Sequence, residues 1–419
     1  MQKTTKKILI SILGKGQFNK NKKSYDYQLT QYQIENNEPI ESKLVSDILR
    51  KHFLFEKIYI VGTEESLWNI ADEFIGEKNY EKVFIPYGKN ENEFWKIFEK
   101  LTKLDVKNSE IYFDITHGFR SIPIFISTLL NFFTKVRNAK IKGVYYGIFE
   151  AKENGITPVV NILPFLEMNR YIDAFYLFKK YSDGREIADI IKEKFSSIPI
   201  NEKKEYGKIR QLSKELEFYS KSIGFSAVKF YHDSLERIEK NINQINKIPT
   251  NLKAIEFLIE DLERESKVFD DLTYEWEKSL ESVKILYNKN RYAQALTILR
   301  ETVLTYLLEA DNFEIGKLDY FNEELREQKL SSLLKKDSDN LKNKYDLEYF
   351  EKEFIELYQQ IRELRNRSNH AFIKKDVSEK TINKSVDLLK EYIIKFENLS
   401  KNNKIFKNAK KFFEDIRKL

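Results

Sequence analysis

The stretch Lys7-Ile-Leu-Ile-Ser-Ile-Leu-Gly-Lys-Gly-Gln17 decides the fold of the first part of this chain. Its apolar run at 8–13 is shorter than the core of a signal peptide and is followed at once by two glycines. A short apolar run that ends at a glycine-rich turn predicts a buried strand. Comparable runs at 57–61, 82–85, 110–114, 141–147 and 158–163 predict further strands.

Helical periods separate these predicted strands, at 40–53, 66–74, 91–104 and 123–136. Strands and helices in alternation predict an α/β domain with a Rossmann-like, mostly parallel sheet and helices on both faces. After residue 163 the strand signals stop, and long helical periods follow. We therefore expect an α/β domain at 1–165, an all-α connecting region at 166–275 and an all-α helical bundle at 276–419.

The composition narrows the classes of function. A chain of 419 residues is too long for one ordinary core, so several domains are expected. The absence of cysteine excludes disulfides, thiolate zinc sites and cysteine nucleophiles, and it fits a cytoplasmic protein. No apolar stretch reaches the ~20 residues that a membrane span needs. The net charge of +6 permits RNA binding, but a solvated charged surface is the better default explanation.

Loops at the carboxyl ends of the strands are the expected ligand site of an open α/β sheet. Three loops carry suitable residues: Gly14, Lys15, Gly16 and Gln17 after the first strand; Gly62, Thr63 and Glu64 after the second; and Thr116, His117, Gly118, Phe119, Arg120 and Ser121 after the fourth. Two common nucleotide-binding classes are disfavoured. Asn19 stands where a dinucleotide fingerprint needs its third glycine, and no P-loop motif is present.

The third loop belongs to the string Asp114-Ile-Thr-His-Gly-Phe-Arg-Ser-Ile-Pro123. Ser121 suits a helix N-cap and Pro123 a first-turn position, so a helix would begin here with Arg120 beside it. The positive end of that helix and the guanidinium would favour a bound phosphate. The alternative stays open that Ser121 only caps, that His117 bonds internally and that Arg120 pairs with a carboxylate.

A second candidate site follows the helical stripe Phe350, Phe354, Leu357, Ile361 and Leu364. Asn366 and His370 are four residues apart and share one side of the predicted helix, and Arg365 can approach the same cleft. Arg365 suits a scissile phosphate, and His370 suits proton exchange with a 2′-hydroxyl or a leaving 5′-oxygen. The alternative is that His370 only ends the helix, against its dipole, while the arginines face water.

The remaining histidines bear on metal chemistry. His52, His117 and His232 are isolated in the sequence, and no His-x-x-x-His pair occurs. A metal site built by the protein is therefore not expected. Metal-independent RNA cleavage through the 2′-hydroxyl remains open.

Both strings resemble a known family. The string at 114–123 looks like the signature of the CRISPR-associated DxTHG family, and Arg365-Asn-x-x-x-His370 resembles the Arg-x(4 to 6)-His motif of HEPN ribonucleases. The segment 166–275 carries no matching motif. The resemblance implies a CARF domain that senses a cyclic oligoadenylate in type III CRISPR systems. It also implies a HEPN domain that cuts single-stranded RNA.

The same resemblance implies a homodimer or a higher even oligomer, with Arg365, His370 and Asn366 as catalytic residues and Glu301 as a possible helper. Lys15 and Arg120 would give four cations per dimer, which balance the roughly four phosphate charges of a cyclic tetra-adenylate. That ring is the preferred activator by analogy. No other cofactor is expected.

Two other functions remain alternatives. The chain could be a non-catalytic regulator whose middle helices bind DNA in response to a nucleotide, although no basic recognition helix is evident. The first domain could also degrade its own cyclic oligoadenylate, as a ring nuclease does.

Overall fold

The computed structural model describes residues 5–20, 23–118, 122–310, 323–335, 349–370, 372–373 and 378–401. They belong to two compact units, Met1–Asn169 and Arg170–Leu419. The further division of the second unit near residue 275 stays a prediction.

An eight-stranded sheet forms the centre of the first unit. Its strands, together with the separate β2–β3 pair, are β1 Lys7–Leu13, β2 Gln17–Asn19, β3 Ser24–Asp26, β4 Thr30–Ile34, β5 Ile40–Ser42, β6 Lys57–Gly62, β7 Glu81–Phe84, β8 Glu110–Asp114, β9 Lys140–Gly147 and β10 Ile156–Asn161. Their order is β5-β4-β10-β9-β8-β1-β6-β7. Among the described strands of the eight-stranded sheet, only the β9–β10 and β4–β5 pairs are antiparallel. The expectation of a Rossmann-like, mostly parallel sheet is confirmed.

Strand β1 is buried on both faces because helices cover both sides of the sheet. Ile8, Ile10 and Ile12 pack into one apolar cluster, and Leu9 and Leu13 pack into another. The helices are α1 Val45–His52, α2 Trp68–Phe74, α3 Glu91–Thr102 and α4 Ile122–Val136, with single 3₁₀ turns at Glu77–Asn79 and Phe149–Ala151. Helices α1 and α2 cover the Leu9 face, and α3 and α4 cover the Ile8 face.

Two predicted elements are wrong in part. The helix predicted over 40–53 begins only at Val45, because Ile40–Ser42 is an edge strand that pairs with β4. The strand predicted over 158–163 runs from Ile156 to Asn161, and a short helix begins at Leu163. Both errors arise where pairing with another strand overrides the local pattern.

The second unit is helical, and no strand occurs among its described residues. After α5 Leu163–Leu166 of the first unit, its helices are α6 Met168–Tyr181, α7 Arg185–Ser196, α8 Gly207–Gly224, α9 Val228–Ile242, a 3₁₀ turn Thr250–Leu252, α10 Ile255–Lys267, α11 Glu275–Asn288, α12 Tyr292–Ala310, a π-helix Glu324–Ser331, α13 Ser332–Leu334, α14 Tyr349–Asn369 and α15 Glu379–Ser400. One apolar cluster extends from Tyr171 to Leu399. The all-α character predicted from the sequence is confirmed.

Candidate functional site

The three predicted ligand loops follow adjacent parallel strands, β8, β1 and β6. The first and third loops touch, because a Cβ added to Gly14 would lie 2.5 Å from the carbonyl oxygen of His117. The Gly14 amide donates to the Tyr27 hydroxyl at 2.9 Å. Gly16 has a φ of 71°, where a side chain would be strained. The close approach of the loops therefore requires glycine at 14, and the left-handed backbone conformation favours it at 16.

Asp114 and Thr116 tie the third loop to the sheet. The fully buried Asp114 carboxylate accepts from the Ser11 hydroxyl at 2.7 Å and from the Thr116 amide at 3.0 Å. The Thr116 hydroxyl in turn accepts from the Gly147 amide at 3.0 Å. The side chains of Asp114 and Thr116 are therefore engaged in hydrogen bonds that fix the conformation of the loop.

His117 is the buried polar group of this loop. Its ring centroid lies 4.3 Å from that of Tyr27. Burial lowers the pKa of His117, against an opposing effect of Asp114, so the imidazole is neutral at neutral pH. Within the described residues its Nε2 has no hydrogen-bond partner. Such a nitrogen can still exchange a hydrogen bond with a ligand.

Lys15 is paired with a carboxylate that sequence reasoning missed. Its Nζ lies 2.6 Å from Glu65 and 4.7 Å from the centroid of the Tyr25 ring. The hydrogen bond that Lys15 donates to the Glu65 carboxylate raises the pKa of Lys15. Glu65 directly follows the predicted Glu64, so its position next to the loop was a signal available in the sequence. The effect of the Lys15 charge on a bound phosphate therefore depends on whether Glu65 releases the ammonium group.

The second loop is fixed by Ser66, whose hydroxyl accepts from the Thr63 amide at 2.9 Å and donates to the Leu13 carbonyl at 2.7 Å. A Cβ on Gly62 would lie 2.8 Å from that hydroxyl oxygen. Thr63 and Glu64 also line an open cleft of about 480 Å³.

The other predicted ligand residues belong to the first and third loops. Gln17 begins β2, and the Gly118 amide donates to the Ile115 carbonyl. The predicted ligand residues Phe119, Arg120 and Ser121 lie outside the described residues.

The second candidate site lies at the carboxyl end of α14. Phe354, Leu357, Ile361 and Leu364 are buried as the stripe predicts. Arg365 and Asn366 are half-buried, and His370 is exposed just beyond the last helical residue. After the helix ends, the Phe372 amide donates to the Arg367 carbonyl at 2.9 Å. Phe372 has a φ of 52°, which a bulky residue rarely adopts. The helix end is thus held in a strained turn beside His370.

The two nearby arginines of α14 have different partners. The side-chain amide of Asn369 lies against the Arg365 guanidinium, with its oxygen 3.0 Å from Nε when the amide is turned that way. Arg367 forms an ion pair with Glu363. Among the described residues no carboxylate lies within ion-pair distance of Arg365. Its positive charge is therefore available to an anion.

A network of two arginines and two glutamates lies near Arg365, and we call it the ion network: Arg300, Glu301, Arg326 and Glu327. The buried Arg300 binds both Glu301 and Glu327, and it also donates to Ser331 at 3.0 Å. Arg326 binds Glu301 at 2.9 Å. The suggested helper Glu301 is thus held by two arginines.

Arg365 approaches the same network from α14. A hydrogen bond from Arg300 lowers the pKa of Glu327, and the charge of Arg365 contributes to the same shift. Tyr358, two turns before Arg365 on α14, donates to Ser331 at 2.8 Å. The partners lie some 25 or more positions apart in sequence, so no local pattern could reveal them.

Two other findings concern metals and membranes. No group of three or more histidine, aspartate or glutamate side chains among the described residues could hold a metal ion. Within the same residues, no helix has the length and apolar character to cross a bilayer.

Residues 77–150 match the family described as CRISPR system endoribonuclease Csx1, CARF domain. The match spans β7, β8, α4 and β9, and it includes the loop that begins at Asp114. The first unit contains a CARF domain. The Gly14 and Gly62 loops of this CARF domain, and the whole end of α14, lie outside the matched residues.

Two further proteins are similar to the chain. CRISPR-associated protein MJ1674 of Methanocaldococcus jannaschii is 27% identical over 365 residues, which are 73% of this chain. The chain spans about half of that relative's length, 54%. Enterococcus italicus Csm6 bound to cyclic hexa-2′-fluoro-hexa-dAMP aligns over 98% of this chain and 99% of its own, at 14% identity and a TM-score of 0.40. A score this low does not show a shared overall fold.

Proposed function

We propose that the chain is an ancillary ribonuclease of type III CRISPR defence that a cyclic oligoadenylate activates. The CARF domain, residues 1–165, binds the activator, with cyclic tetra-adenylate preferred. A HEPN bundle at 276–419 cuts single-stranded RNA without a metal, and the helices at 166–275 connect the two. The protein acts in the cytoplasm as a homodimer or a higher even oligomer.

The observation that carries the nuclease assignment is that Arg365 has no carboxylate partner among the described residues, at the same helix end that carries the exposed His370. On the same helix Arg367 is neutralised by Glu363. A guanidinium without a carboxylate partner binds the scissile phosphate and stabilises the charge that grows on it. The description of the matching family as an endoribonuclease supports this assignment.

The proposed reaction is an internal transfer at phosphorus. The 2′-oxygen forms a bond to phosphorus while the bond from phosphorus to the 5′-oxygen breaks, which leaves a 2′,3′-cyclic phosphate and a 5′-hydroxyl. The proton of the 2′-hydroxyl leaves as the 5′-oxygen gains one. His370 carries out this proton exchange, a contribution of roughly 10²- to 10⁴-fold in rate. Asn366 assists in binding the phosphate, and two-fold symmetry brings a second Arg365 and His370 to the same cleft.

The ligand assignment rests on the loops at the carboxyl ends of β1, β6 and β8. The neutral His117 ring and the Lys15 ammonium suit a nucleotide ring with phosphates. The proposed ligand residues are those predicted from the sequence, namely Gly14, Lys15, Gly16, Gln17, Gly62, Thr63, Glu64, Thr116, His117, Gly118, Phe119, Arg120 and Ser121. Binding activates the nuclease if the ring favours one dimer arrangement over another.

A fluorogenic RNA assay tests this function. Cyclic tri-, tetra- and hexa-adenylate are added separately to the purified chain, with and without EDTA. We expect cleavage with the tetra-adenylate and no loss of rate in EDTA. RNA that stays intact with all three rings, while the chain binds one of them, would contradict the nuclease assignment and favour a non-catalytic regulator.

A further inference from the structure

The β2–β3 pair leaves the first ligand loop and is anchored beside it. Its two strands pair antiparallel, with Phe18 directly opposite Tyr25. At the end of β3, the Asp26 carboxylate lies 2.7 Å from the Lys43 ammonium in a largely buried ion pair. A Cβ added to Gly16 would lie 2.7 Å from the Asp26 carbonyl oxygen, so this end of the pair packs against the glycine loop. The position of the two strands next to the candidate ligand site is therefore fixed.

Two aromatic side chains of this strand pair stay open to solvent. Opposite residues of an antiparallel pair share one face, and the rings of Phe18 and Tyr25 meet edge to face with their centroids 5.4 Å apart. Phe18 is 55% exposed and Tyr25 is 43% exposed. Their contact with each other thus leaves about half of each residue uncovered. The uncovered aromatic surface lies on strands that continue directly from the ligand loop.

A cation of the ligand loop lies over one of these rings. The Lys15 Nζ is 4.7 Å from the centroid of the Tyr25 ring, and it is also 2.6 Å from Glu65. A nucleotide offers a phosphate that a cation binds and a flat base that stacks on an aromatic ring. The loop and the strand pair supply these two groups side by side.

We infer that Phe18 and Tyr25 form a stacking platform for an adenine base of the ring, beside Lys15 as the cation for its phosphate. The inference rests on the proposed function, because it needs a cyclic oligoadenylate as the ligand. It adds two residues that lie outside the three predicted loops and outside the matched segment 77–150. Every base has a π-face, so the platform contributes affinity and leaves the choice of base to other groups.

Leucine substitutions separate a stacking surface from a merely apolar one. Phe18→Leu and Tyr25→Leu keep an apolar side chain and remove the π-face, whereas Tyr25→Phe keeps the ring and removes only the hydroxyl. Trp95→Leu removes an exposed aromatic side chain of α3 and is the control in the same unit. Thermal unfolding of the full chain checks that each variant is folded. Calorimetry measures its affinity for cyclic tri-, tetra- and hexa-adenylate.

A fluorescent ring reports the stacking itself. One adenine of cyclic tetra-adenylate is replaced by 2-aminopurine, whose emission falls when the base stacks on an aromatic ring. With protein in excess, we expect the emission to fall with the wild type and with Tyr25→Phe. It should fall less with the two leucine variants, since they lack a ring on which the base can stack. A structural role of the two residues would not produce this difference at saturation.

We expect each leucine variant to bind the ring that the wild type prefers roughly 5- to 100-fold more weakly, because each loses one base–aromatic contact. Tyr25→Phe and Trp95→Leu should stay within about twofold of the wild type, since neither loses a stacking ring of the platform. The platform is overturned if either leucine variant binds like the wild type, if Tyr25→Phe loses as much as Tyr25→Leu, or if the emission is the same in all variants. A wild-type chain that binds none of the three rings would instead refute the proposed function.

Discussion

The candidate ligand loops of the first unit and the end of α14 use their polar groups in opposite ways. In the loops, Asp114 and Thr116 are bound by the sheet, His117 is buried, and Lys15 is paired. At the end of α14, His370 is exposed and Arg365 has only a neutral partner among the described residues. In the first region the polar groups form hydrogen bonds and ion pairs that fix the loops. In the second region they stay available for another molecule.

This difference matches the different needs of ligand binding and catalysis. A ligand site gains affinity from a rigid backbone, because little order must be imposed on binding. A catalytic pair needs groups whose charge and protons are not already committed. Four measurements test this contrast between the two regions.

Arg365→Ala should have the largest effect. Loss of the phosphate-binding charge is expected to reduce RNA cleavage by roughly 10²- to 10³-fold, while binding of cyclic tetra-adenylate remains. Cleavage is measured with fluorogenic RNA and binding by calorimetry. Arg367→Ala is the matched control, since its guanidinium is already paired with Glu363, and it should cleave within a few-fold of the wild type. Equal losses in the two variants would remove the contrast on which the active site depends.

Gly14→Ala tests the rigidity of the ligand loops. The added Cβ would lie 2.5 Å from the His117 carbonyl oxygen, a backbone atom that cannot move away cheaply. We expect the free energy of unfolding of this unit to fall by about 1–3 kcal/mol, with weaker binding of cyclic tetra-adenylate. Urea denaturation and calorimetry measure the two effects. Gly207→Ala, where nothing lies within 4 Å of an added Cβ, should not destabilise the chain.

The buried His232 of the helical unit contrasts with the exposed His370. Burial lowers the pKa of His232 from 6.5 to about 4. The folded protein favours the neutral imidazole of His232. The stability that depends on this neutral form is fully present above pH 6.5 and is lost as the pH falls toward 4. About 2 kcal/mol should be lost between pH 7 and pH 5.

Urea denaturation of the wild type and His232→Phe at both pH values measures this dependence. The variant should show a smaller difference between the two pH values, even if it is less stable at both. Leu235→Ala, from the same helix, should keep the wild-type difference while lowering stability. A full pH difference in His232→Phe would show that another group titrates.

Glu65→Gln should have the smallest effect. Removing the carboxylate 2.6 Å from Lys15 leaves its charge free for a phosphate. The affinity for cyclic tetra-adenylate should rise by roughly 3- to 10-fold at low salt and by less at high salt, because exposed charges are screened. Glu64→Gln removes the adjacent charge and leaves the Lys15 pair intact. An affinity that is unchanged in Glu65→Gln would exclude Lys15 from the phosphate contacts.

The apolar patterns of the sequence predicted those strands of the first unit that are buried on both faces. Strands β1, β6 and β8 lie within one residue of their predicted bounds, because their apolar runs are buried on both faces. The strands β4 and β5 were missed. Their short polar sequences become strands only because β10, some 125 residues away, pairs with β4.

By itself the sequence determined the order of strands and helices and the positions of Arg365 and His370 at a helix end. Those features depend on neighbours along the chain, through periodicity and capping. Only the tertiary structure decided which charges are already used, since Glu65 reaches Lys15 across 50 residues and Glu327 reaches Arg300 across 27. The physical reason is that an ion pair depends on distance in space, and folding sets that distance between residues far apart in sequence.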